Sequence, residues 1–67
     1  MWNLEGMTIT GKYLGLFPIE GVVELSRVKY GGDVSHHVSL TTPIVVYGLT
    51  RDRVIMEHFL VETVKDL

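Results

Sequence analysis

The sequence predicts an all-β domain, a small, strongly bent antiparallel barrel of five strands, and three observations predict it. Threonine, valine, isoleucine and tyrosine recur along the chain, as they do in strands. Glycines at positions 6, 11, 15, 21, 31, 32 and 48 punctuate it at intervals suited to turns and bends. No segment sustains the 3.6-residue apolar period of an amphipathic helix. At 67 residues the chain makes one domain, taken as 1–67.

Met7, Ile9 and Tyr13 alternate with Thr8, Thr10 and Lys12, which makes residues 7–14 a first strand with two distinct faces. Residues 15–18 turn the chain. A second strand is expected over 19–30, and its apolar parity changes on the way: Ile19, Val23 and Leu25 share one phase, Val28 and Tyr30 the other. One extra residue near Ser26 and Arg27 accounts for the change, and such a bulge bends a strand and helps to close a sheet into a small barrel. Gly31, Gly32 and Asp33 make the next turn, because paired glycines accept the positive φ angles it needs. A third strand starts near His36 and carries Val38 and Leu40 on one face. It then meets Thr41, Thr42 and Pro43, where proline removes a ladder hydrogen bond and implies a kink or an edge. Residues 44–47 are a continuous apolar run, 48–52 a short polar loop and 54–56 a second run; unbroken runs imply burial on both faces. After a break at Glu57, His58 and Phe59, the residues Leu60, Val61 and Val64 form the last strand.

Apolar residues make up 46% of the chain, more than so small an interior can hold, and there is no cysteine for a disulfide or a thiolate zinc site. Joining of copies is the remaining reinforcement, with the sheet edge or outer face completed by a neighbour. A homo-oligomer is therefore expected, the alternative being a well-filled monomeric barrel. The formal net charge of −2 excludes a general attraction for polyanions, so any nucleic-acid site is local. No apolar run approaches the ~18 residues that span a bilayer. The opening residues Met1 to Glu5 lack the basic and apolar regions of a secretory leader, and Lys65, Asp66 and Leu67 lack the full retention motif. The expectation is a cytoplasmic protein without membrane contact, with which the absence of cysteine agrees.

His36, His37 and His58 are the obvious ligand candidates. Neighbours on a strand point to opposite faces, so His36 and His37 do not share an ion unless they lie in the loop, and neither a metal nor another cofactor is expected. Asp33, Ser35 and His36 have the residue types of a hydrolytic triad, but groups within one turn do not reach its geometry. A domain this small with no second layer offers no cleft, and the expectation is that the chain is not an enzyme. Charge placement is more informative. Arg27 and Lys29 lie on one face of the second strand, and Arg51 and Arg53 flank one loop, so each pair makes a local cationic spot. Glu20, Glu24, Asp52, Glu57 and Glu62 offset these spots in a monomer. In a symmetric ring each spot repeats around the axis and becomes a track for a flexible polyanion. Tyr30, Phe59 and the histidines offer stacking surfaces for unpaired bases. The competing reading of each basic pair is a solvated strand face.

Five short strands, a sharply bent second strand and the closing unit Val54, Ile55, Met56, Glu57, His58, Phe59, Leu60, Val61 resemble the Sm and Sm-like proteins, small barrels of the SH3-like kind. In that family the last two strands carry an apolar residue, Arg, Gly and soon another apolar residue. Here Met56 and Val61 look like the apolar positions, and Glu57 and His58 stand where Arg and Gly would. The earlier family motif, Asp, two residues, Met, Asn, two residues, Leu, is similar to the segment from Asp33 to Leu40. Asp33 and Leu40 match, His36 stands at the Met position, and His37 replaces the Asn that contacts a base. The segment up to Gly6 is shorter than the family's N-terminal helix, and the spacing from Gly21 to Asp33 is longer than the family's. The chain also resembles a divergent Sm-like group of marine environmental sequences thought to be encoded by phages of cyanobacteria.

The resemblance implies a homo-oligomeric ring, pentamer to heptamer, that binds RNA or single-stranded DNA at loops facing a central pore and acts in RNA or DNA processing. The matching positions are Asp33, His36 and His37 in one loop and Glu57 and His58 in the other. Histidine can stack on a base or donate a hydrogen bond, whereas Glu57 repels phosphate. Together with Arg27, Lys29 and Tyr30 these are the candidate nucleic-acid-binding residues. The alternative, supported by the negative net charge and Glu57, is a protein-interaction or structural module, a phage factor that occupies a complex in the host cytoplasm.

Overall fold

Side chains that alternate between buried and exposed along a strand give a sheet one packed face, and Ile9 and Gly11 begin that face while Thr8, Thr10 and Lys12 turn away from it. The computed structural model describes residues 2–66. Met1 and Leu67, which entered the reading of the chain ends, lie outside the described residues. Five strands form: β1 Thr8–Tyr13, β2 Phe17–Val28, β3 Val34–Val46, β4 Leu49–Glu57 and β5 Val61–Lys65, with a three-residue 3-10 turn at His58–Leu60 between the last two. All pair antiparallel in one sheet of order β4-β3-β2-β1-β5. The all-β class and the strand number are thus as the sequence predicts. The expected closure is absent: β4 and β5 end the sheet on opposite sides and share no ladder among the described residues. Among the described residues no helix is long and apolar enough to cross a membrane.

The core is a single cluster of Leu4, Ile9, Ile19, Val23, Val38, Leu40, Val54 and Met56. Three features bend the sheet around it. In β2 the extra residue is Glu24, since Val23 pairs with Val38 and Leu25 already pairs with His37. The phase change is real, but it falls before Ser26 and Arg27. The residue that turns inward after it is Ser26, a buried polar side chain, whereas Val28 and Tyr30 are exposed. In β3 the ladder to β4 breaks between Ser39 and Ile44, across the segment that contains Pro43. The strand leaves β2 after Leu40 and continues with β4 alone. The third feature is close backbone approach at two glycines. A Cβ on Gly21 would collide with the Ser39 carbonyl, and one on Gly11 with the Leu60 carbonyl and the Met56 methyl.

Two local expectations are corrected. Residues 48–52 are not a loop: Val46 pairs with Leu49, so Tyr47 and Gly48 alone make the turn, with φ of 51° and 81°. Positive φ at both central residues is the two-residue hairpin connection that matches strand twist. Arg51 and Arg53 therefore lie within β4 rather than flanking a loop. The apolar runs at 44–47 and 54–56 are also not buried on both faces. Val46, Val54 and Met56 turn inward, while Val45 and Ile55 are 62% and 55% exposed.

The segment before β1 serves as a partner for the bulged part of β2. Gly6 N–H donates to the Val23 carbonyl and Val23 N–H to the Met7 carbonyl, each at 2.9 Å. Ser26 N–H donates to a Glu5 carboxylate oxygen at 3.0 Å, and Leu4 drops into the core beside it.

Candidate nucleic-acid interface

The turn between β2 and β3 is held by Lys29 N–H on the Asp33 carbonyl at 2.6 Å and Gly32 N–H on the Lys29 carbonyl at 2.9 Å. Gly31 and Gly32, with φ of 95° and 93°, supply the backbone this requires. The turn sits next to the 3-10 turn because Ser35 and His36 pair with Glu57 and Met56. Between the two turns is a cavity of about 230 Å³ lined by Gly32, Asp33, Val34, Glu57, His58 and Phe59. The turn at Asp33 and the turn that starts at His58 thus meet at one place, but His36 and His37, expected in the first loop, lie within β3, and Glu57, expected in the second, ends β4.

Behind the cavity runs a line of hydrogen bonds. Ser26 Oγ lies 2.8 Å from His36 Nδ1, and His36 Nε2 lies 2.8 Å from His58 Nδ1. Leu4 N–H donates to Ser26 Oγ at 3.0 Å. Every polar atom in the line is paired when the serine hydroxyl donates to His36 Nδ1 and His36 Nε2–H donates to His58 Nδ1. No buried side-chain polar atom among the described residues lacks a partner. His58 then carries its own proton on Nε2, as the outer end of the line. Burial, with the neighbouring His58 as a second cause, holds the His36 imidazole below its ordinary value. The line fixes the tautomer and orientation of His58. It presents no nucleophile, since Ser26 is its buried end.

The candidate residues divide accordingly. Asp33, Glu57 and His58 line the cavity. Lys29 donates to both Glu57 carboxylate oxygens, at 2.9 and 3.2 Å, so one cation of the expected spot is already paired. Arg27 shares a ladder row with Ser35 and Glu57. Tyr30 is fully exposed in the turn. His36 is completely buried, so a direct base contact is closed to it in this structure and it reaches the cavity only through His58. His37 is elsewhere: it faces the opposite side of β3, in a row with Leu25 and Ile55. There it lines a second concavity with Tyr13, Glu24, Arg51, Arg53 and Ile55. Among the described residues no three metal-ligating side chains converge. Sequence reasoning missed Ser26, Glu5 and Tyr13; only the parity change in β2 could have marked Ser26 as facing inward.

No protein-family model, curated protein or solved structure matches this chain.

Proposed function

We propose that the chain is a ring-forming, Sm-like module that binds RNA or single-stranded DNA and acts in RNA or DNA processing in the cytoplasm. The observation that carries this reading is one sheet with two open, partly apolar edges. Leu49 and Ile55 on β4 and Val64 on β5 are all exposed, next to backbone groups that have no ladder partner on their outer side. Unpaired edges of this kind are templates for another chain. A β4 edge on one copy and a β5 edge on the next make a head-to-tail contact, which closes into a ring when the rotation permits. The strand order, the bends at Gly21 and Glu24, and the short 3-10 turn before the last strand support a curled sheet of the SH3-like or Sm-like kind. In the ring the cavity between the two loops repeats around the axis, with the exposed Phe59 ring as a stacking surface and the fixed His58 as a donor.

Fluorescence anisotropy with labelled oligo-U and oligo-A tests the binding claim. Salt-dependent binding is expected, and its absence at low salt overturns the reading. One observation favours a second reading: Asp33 and Glu57 make the loop cavity acidic. That suits a protein-interaction or structural module, such as a phage factor seated on a host complex. Capture of a host partner that survives nuclease treatment, together with no oligonucleotide binding, selects this alternative.

A further inference from the structure

The cavity between the loops is a poor place for phosphate. Its ionisable lining is Asp33, Glu57 and His58, with no lysine or arginine, and Lys29 beside it is paired with Glu57. A second concavity, about 500 Å³ beside β1 and β2, is lined by Glu20 and Glu62 and by no cation. The third is different. It is a groove of about 300 Å³ formed by Tyr13, Glu24, His37, Val38, Arg51, Arg53, Val54 and Ile55, so two arginines and one carboxylate line it.

The details favour an anion. Arg53 donates through Nε to Glu24 at 3.0 Å, which leaves the rest of its five N–H donors available. Arg51 makes no side-chain hydrogen bond or ion pair among the described residues, and neither does the His37 ring. The pair Arg53 and Glu24 is exposed on both sides, so separating it costs little. Around these charges stand two flat rings, Tyr13 and His37, and the apolar Ile55. Two cations beside rings and an aliphatic wall match a phosphate joined to a base. The volume lies at the lower end of the range of about 300–1,000 Å³ for small-molecule pockets, which suits one nucleotide unit.

We infer that this β3–β4 groove, rather than the loop cavity, is where the protein holds the phosphate of a single-stranded nucleic acid, with Arg51 and Arg53 on the phosphate and Tyr13, His37 and Ile55 against the base. The inference rests on the nucleic-acid-binding reading above and moves its phosphate contact to another part of the molecule. Glu24 limits the affinity by occupying Arg53.

The test is anisotropy with short labelled oligo-U and oligo-A over a salt series, on the full chain and four variants. Arg51→Ala and Arg53→Ala are expected to weaken binding severalfold. Each should lower the slope of log K against log salt by roughly 0.7, the value for one phosphate contact on a single strand. Lys12→Ala, which removes the same charge outside the groove, is the control for net charge. Glu24→Gln is expected to tighten binding, a gain that misfolding does not produce. If the unmodified protein binds but Arg51→Ala and Arg53→Ala bind as well as it does, with the same slope, the groove is excluded while the function stands. If the unmodified protein binds neither oligonucleotide, the function itself fails and the groove with it.

Discussion

His36 is a histidine with no exposed surface, held between a serine and a second histidine, and the cost of charging it there makes stability depend on pH. In the unfolded chain it takes up a proton as pH falls through about 6.5, whereas the folded site resists protonation. Its contribution is therefore complete above pH 6.5 and lost progressively below that value. Melting temperatures should fall between about pH 7 and about pH 5.5, and a flat profile contradicts the assignment. Ser26→Ala leaves His36 Nδ1 and Leu4 N–H without their partner. A cost of about 1–3 kcal/mol is expected for leaving such groups buried and unpaired, measured by urea denaturation at neutral pH. None of this was legible in the sequence. Ser26, His36 and His58 are separated by 10 and 22 positions, and no periodicity links them. The fold brings them together through two ladder registers, β2 on β3, which the bulge at Glu24 shifts, and β3 on β4.

At the scale of strands, the bends depend on where two backbones nearly touch. Gly21→Ala places a methyl group against the Ser39 carbonyl and the Val38 side chain. Overpacking of this kind costs about 1–3 kcal/mol or more, so the denaturation midpoint should drop well below that of the parent protein. Gly48→Ala meets no neighbouring atom but sits at φ of 81°. It should be strained for backbone reasons alone and cost less than Gly21→Ala. The turn at Gly31 and Gly32 was readable because paired glycines have few other uses. The turn at Tyr47 and Gly48 was not, because a tyrosine with positive φ is uncommon and Thr50, Arg51 and Asp52 look like loop residues. They are the solvent-facing start of β4 instead. The bulge was readable in kind but not in place, since Leu25, which follows it, keeps the apolar phase of Ile19 and Val23 although it is exposed.

At the scale of the whole molecule, the sheet leaves Val45, Leu49, Ile55 and Val64 in solvent while its other face is packed. The composition pointed to that surplus, but its location on the outer face and the two edges could not be read from apolar runs, which look the same whether one face or both are covered. Light scattering should give an integral multiple of the 7.6 kDa chain mass, and a stable particle of the single-chain mass contradicts assembly. Leu49→Lys and Val64→Lys put charge at the two open edges and should shift the mass toward the single chain. Their circular dichroism should stay that of a β protein, since neither side chain belongs to the core cluster.

Glu24 has two duties that do not interfere with each other. It is the supernumerary residue that curves β2, a role that asks nothing of its exposed side chain, and that side chain is the counter-ion of Arg53. Variation at this one codon can therefore retune the electrostatics of a neighbouring strand while the architecture stays as it is. Related chains that differ at position 24 should share a shape and diverge in what they hold.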